Sequence, residues 1–241
     1  MRLIPAVEIR LSTELPSDAE YWMPSEEEVE YADEGFGFFR DVWTLVEVLP
    51  DEATAIMARE RSLVEILDGL SSDADTFDRF ARAAERHDPE CLSDDAEVRE
   101  VEELLIARMG RSWDLDGLEI GVAGLSHALA SVGCVPTASC RGHTGDRAWS
   151  EHPVVYVALD RAHAEWLAPL VHRIPCGFGI DPARSEMLTI NARCIADSMA
   201  LAAAICEEAE RNPPPPLAYR RSGEAEPVEQ RIEVDGQQTL F

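Results

Sequence analysis

The stretch from Gly133 to His152, GCVPTASCRGHTGDRAWSEH, gathers two cysteines, two histidines, two arginines and several turn residues within twenty positions. Thiolate sulfur and imidazole nitrogen are the usual ligands of zinc, and four of them in tetrahedral array make a structural site. Cys134, Cys140, His143 and His152 therefore form one candidate metal set. Their spacing, C-x5-C-x2-H-x8-H, matches no standard zinc finger.

The same residues allow nucleophilic chemistry. Cys140 and His143 are the candidate catalytic pair, with Cys140 as thiolate and His143 or His152 as its base. Arg141 and Gly142 could form an anion site beside them, because a glycine-containing turn leaves backbone amides free and a guanidinium adds charge. Ser139 is an alternative nucleophile without a GxSxG elbow, and Asp146 or Glu151 could orient a histidine. A third reading is a purely structural turn, with Cys134 acting as a small hydrophobe. His163 and His172 fall on an expected helix and read as surface residues.

The elements around this loop follow from hydrophobic spacing. Leu118, Val122, Leu125, Leu129 and Val132 repeat at 4-3-4-3 intervals, which predicts a helix ended by Gly133. Val135–Ser139 predicts a short strand and Pro153–Leu159 a clear one. A helix over Arg161–Ile174, paired strands at Phe178–Ile180 and Met187–Ile190, and a last helix over Ala196–Arg211 complete the unit. The order α-β-β-α-β-β-α gives a small two-layer α/β domain over 111–211 with a mostly antiparallel sheet. If its first two strands pair, the loop brings His152 back towards Cys140.

Residues 1–110 read as an acidic, mainly helical unit, so the fold class is α+β. Helices are expected over 51–70, 72–86 and 93–109, with a short strand over 2–11 and a helix start at Ser25. Phe36, Phe38, Phe39 and Trp43 are expected in a core. Residues 212–241 form a proline-rich linker, Pro213–Pro216, and a mobile tail.

Charge narrows the functional classes. The chain carries −26 overall, of which residues 1–110 contribute 29 acids against 10 arginines, or −19. Such a surface repels phosphates, so direct nucleic-acid binding is disfavoured. Solubility, adaptation to high salt and mimicry of DNA are the three readings of this acidity. Lysine is absent, which excludes a Schiff-base lysine and a Walker lysine. Six cysteines with no apparent signal peptide or membrane span point to free thiols in a bacterial cytoplasm.

Two resemblances add to this. VPTASCRGH followed by AWSEH resembles small bacterial domains of unknown role carrying a T-x-x-S-C-x-G-H signature, here with one residue between Thr137 and Ser139. More distantly it resembles the TTSSCSGR stretch of the wybutosine-synthesis methyltransferase family through Thr137, Ser139, Cys140 and Gly142, with His143 where that family has arginine. The likeness covers roughly residues 118–160, and the methyl transfer and tRNA binding it would imply run against the negative charge. At the C-terminus, QxxLF resembles the peptide by which bacterial replication and repair proteins dock on the sliding clamp. That resemblance implies Gln237, Leu240 and Phe241 as anchors. A competing reading makes residues 231–241 a β-hairpin, with Asp235-Gly236 as its turn. Together these give three expectations: an accessory protein of DNA transactions recruited through its tail, a metal- or thiolate-dependent enzyme acting on a small anion, or an acidic DNA mimic.

Overall fold

Three amphipathic helices open the described part of the chain: α1 (Pro50–Leu70), α2 (Ala74–Glu85) and α3 (Ala96–Met109). The computed structural model describes residues 8–24, 45, 48–86, 92–110, 113–143, 150–181 and 184–216. Pro50 at the first position, with Glu52 accepting from Leu49 N at 2.8 Å, starts α1. Asp73 and Asp95 cap α2 and α3 through their carboxylates. Ser25 and the aromatic cluster at 36–43 lie outside the described residues. No described helix is long and apolar enough to cross a membrane.

The remaining elements are α4 (Ala123–Ser131), β1 (Val135–Cys140), β2 (Val154–Ala158), α5 (Arg161–Arg173), β3 (Cys176–Asp181), β4 (Arg184–Ala192) and α6 (Ile195–Arg211). The four strands form one antiparallel sheet in the order β1-β2-β4-β3, so the fold is α+β. Phe178 opposes Ile190 and Ile180 opposes Leu188, the pairing expected from the sequence.

Strand alternation separates two faces. Val155, Val157, Leu188 and Ile190 join a core with α4, α5 and α6. Tyr156, Ala158 and Met187 face the other way, where Trp22 and Met23 pack on them. The strand expected over 2–11 is not found in its described part, and the neighbouring Ser12 makes only one bridge. Ser12 pairs with Phe178 at the outer edge of β3, and residues 8–11 form no strand.

A second core links the helices of 50–109 to the rest. Leu63, Leu67, Phe80 and Leu105 pack with Trp113, Ile120, Ala123, Ile195 and Met199. Helix α4 lies between the two cores, and every residue from Ala123 to Ala130 is buried. The helix starts later than the hydrophobic spacing suggests, because residues 120–122 form a turn.

That turn is held from outside. Val122 offers no side-chain cap, and Glu60 of α1 takes its place. Its carboxylate accepts from Gly121 N at 2.8 Å and Gly124 N at 3.2 Å. A Cβ on Gly124 would sit 2.5 Å from Glu60 Oε2, and one on Gly121 2.3 Å from Ile195, so both glycines are required. Burial pushes Glu60 up from its ordinary 4.5 to about 7, against the pull of these backbone donors.

The pH consequence has a definite sign. A carboxyl raised in the folded state takes up its proton on folding between pH 4.5 and about 7. Its contribution is complete below pH 4.5 and falls by about 3 kcal/mol as pH rises to 7. Glu85, also raised to about 7, acts in the same window. Melting curves of Glu60→Gln should show a lower Tm throughout but roughly half the wild-type decline between pH 4.5 and 7. An unchanged slope would remove Glu60 as its source.

Candidate metal centre

Cys140 is the last residue of β1, opposite Val154. The chain then turns at Gly142, whose φ of +88° lies in the left-handed region. A Cβ there would lie 2.7 Å from the backbone of His152, so only glycine admits this approach. His143 N donates to Ser150 O at 3.0 Å and closes the loop, whose residues 144–149 lie outside the described set.

Closure sets the His143 ring between two carboxylates. Nδ1 lies 3.2 Å from Asp78 Oδ1, and Nε2 lies 2.9 Å from Glu119 Oε1. Arg141 Nη2 also approaches Nδ1, at 3.5 Å. Glu119 Oε2 accepts from Arg141 N at 2.7 Å, and Gly142 N approaches Cys140 Sγ at 3.4 Å. Ligand atoms of Glu119, Cys140 and His143 all lie within 4.8 Å of one another, a cluster that could hold a metal ion.

The ligand set differs from the one expected. Cys140 and His143 belong to the cluster, and Glu119 joins them. Cys134 and Cys140 stand at opposite ends of β1, and six residues of strand span roughly 20 Å. Cys134 is buried in the helix-facing core. His152 is near in chain but turned to other work, with Nε2 3.0 Å from Asn191 Oδ1. Two residues of the expected set are thus replaced by one carboxylate.

The anion site expected at Arg141 and Gly142 is committed internally. The Arg141 guanidinium is buried, with Nη2 3.0 Å from Asp78 Oδ1. Nη1 lies 3.1 Å from Glu85 Oε1, an ion-pair contact whose angle falls short of a hydrogen bond. The guanidinium thus faces the acids of α2 and the Gly142 amide faces the Cys140 sulfur, while Arg141 Nε and Nη1 make no hydrogen bond among the described residues.

These contacts set the local electrostatics. Burial pushes Asp78 up, but Arg141, Arg82 and His143 outweigh it and hold the carboxyl below the ordinary range. Glu85 is pushed up to about 7 by burial, opposed by Arg141 and by Ile120 N, which donates to it at 2.8 Å. Burial raises the Cys140 thiol to about 11, with Gly142 N and Arg141 lowering it and Glu119 raising it. This environment favours the thiol over a thiolate nucleophile. Both His143 ring nitrogens already lie against carboxylates.

Other expected residues are placed as follows. Glu151 is exposed, and Asp146 lies outside the described residues. His172 is exposed, with Nδ1 3.2 Å from Thr13 Oγ1. His163, expected at the surface, is fully buried with Nδ1 2.8 Å from Asp160 Oδ1. Asp160 also accepts from His163 N and so caps α5. Asp78 and Glu119 were not expected at the site. Asp78, Arg82 and Glu85 share one stripe of α2 at i, i+4 and i+7, the only pattern that distinguishes these acids from solvated ones.

No family model matches the chain, and no curated protein or solved structure is significantly similar to it.

Thiol reactivity follows from burial. Cys134, Cys140 and Cys176 are each 1% exposed, whereas Cys194 and Cys206 are partly accessible. Mass-spectrometric alkylation kinetics of the metal-free protein at neutral pH should label Cys194 and Cys206 at least about tenfold faster than Cys140. Fastest labelling at Cys140 would reinstate it as an activated thiolate.

Proposed function

We propose that the chain is a metal-dependent enzyme acting on a small molecule, with zinc held by Glu119 Oε1, Cys140 Sγ and His143 Nε2. One observation carries this reading: His143 directs Nε2 at Glu119 beside Cys140 while Asp78 holds Nδ1. Histidine ligands of zinc are ordinarily oriented in this way, by a carboxylate on the other ring nitrogen. The mixed oxygen, sulfur and nitrogen set suits zinc.

Three protein ligands leave a position for water or substrate, as catalytic zinc sites do. When bound, the metal would act as Lewis acid and lower the pKa of its water. The protein's own contribution is orientation. Asp78 fixes the ring, Arg141 N holds the far oxygen of Glu119, and Gly142 N supports the sulfur. Because Cys140 must lose a proton to ligate, affinity rises with pH.

Elemental analysis of tag-free protein tests the centre. About one zinc per chain is expected in wild type, Cys134→Ser and His152→Ala, and a loss of roughly 10-fold or more in affinity in Glu119→Ala, Cys140→Ser and His143→Ala. Asp78→Asn should weaken binding less than removing a ligand. Zinc lost in Cys134→Ser but kept in Glu119→Ala would overturn the assignment.

A second reading rests on a separate observation. Helix α6 ends at Arg211, and Pro213–Pro216 leave it in neither helix nor strand. A stiff proline spacer of this kind sets off residues 237–241, which lie outside the described residues along with the alternative hairpin. We infer that Gln237, Leu240 and Phe241 dock on a bacterial sliding clamp and recruit the protein to DNA transactions in the cytoplasm. Full-length protein should bind purified clamp, and a chain lacking 237–241 or carrying Leu240→Ala and Phe241→Ala should not. Equal binding by all three would sink this reading.

A further inference from the structure

A cleft of about 170 Å³ adjoins the centre, and Glu119 lines it. It runs along the outer edge of β1, the edge strand of the sheet. Two ties bound this edge. Leu45 N donates to Pro136 O at 3.2 Å, and Arg141 N donates to Glu119 at 2.7 Å. Between them, strand alternation turns the backbone N–H and C=O of Ser139 outwards, on the same side as Arg141 N. The Ser139 hydroxyl has no partner among the described residues. Leu45, Leu118, Pro136 and Ala138 supply apolar wall.

Charge selects the occupant. No arginine is among the described residues lining the cleft, and Arg141 is committed to Asp78 and Glu85. A divalent ion held by one carboxylate, one thiolate and one neutral imidazole is itself neutral overall. With Glu119 engaged by the ion, the cleft wall offers neither an anion nor a cation a counter-charge, and an anion has only the ion itself to bind. A neutral ligand with an apolar body and an amide-like donor and acceptor matches the Ser139 edge and the walls together. Resting on the zinc reading above, we infer that this cleft is the substrate site and takes small uncharged carboxamides or closely similar carbonyl compounds.

Three probes with one body separate the possibilities: benzamide, benzoate and benzylamine. Saturation-transfer NMR on the full zinc-loaded chain should show benzamide binding about tenfold or more tightly than either charged probe. Ala138→Leu, which fills the cleft, should abolish benzamide binding, and Ser139→Ala should weaken it several-fold. If Ala138→Leu does not fold, Leu118→Phe serves as the filling variant. Benzoate or benzylamine binding as tightly as benzamide would overturn the class. Benzamide binding unaffected by filling the cleft, or absent from the zinc-loaded wild type, would overturn the site. Zinc content is read on the same samples. Benzamide bound in the cleft of a chain that takes no zinc would sink the metal reading and, with it, the cleft's role as that centre's substrate site.

Discussion

The turn from Glu119 to Gly124 is the constraint on which the candidate site depends, and buried carboxylates hold it. Removing a carboxylate from water is costly unless the fold supplies donors. Here the donors are the backbone amides of the turn itself. Glu60 takes those of Gly121 and Gly124, and Glu85 takes that of Ile120. Both acids come from helices of the first layer, while the turn opens the helix that precedes β1. The layer therefore does more than bury α4: it fixes the position of Glu119, one residue before the clamped amides.

Arg141 completes the arrangement from the other side. It follows Cys140 directly, so its place in the interior fixes where β1 ends. Its buried guanidinium needs the two acids of α2; Glu85 depends on it in turn, while Asp78 also pairs with Arg82. The same Asp78 oxygen meets both Arg141 and His143. Removing Asp78 would thus disturb the ring and the arginine together. Glycine at 142 is the remaining requirement, because the loop returns past it at backbone contact with His152.

Much of this fold is legible in the sequence. Helices α1 to α3, the antiparallel character of the sheet and the end of α4 before Gly133 all follow from spacing, capping residues and turn chemistry, whereas the strand order does not. The site is half legible. Cys140, His143 and the turn at Gly142 announce themselves because cysteine, histidine and glycine cluster in one loop. Glu119 and Asp78 do not, since among 47 acidic residues a carboxylate that turns inwards looks like one that does not. Proximity in sequence also misled for Cys134 and His152. A strand carries the first away, and an asparagine on β4 engages the second. His163 illustrates the same limit: its side chain is buried in the fold although the sequence reads it as a surface residue.

Charge compensation gives a physical reason for a metal at this place. Glu119 and a Cys140 thiolate would together offset the charge of a divalent ion taken up in exchange for the Cys140 proton, and Asp78 would keep its contact with Nδ1. The exchange gains ligand bonds at the cost of a proton from a thiol raised to about 11, a balance that moves towards the ion as pH rises. The metal centre and the bare arrangement of His143 between two carboxylates are thus built from the same contacts.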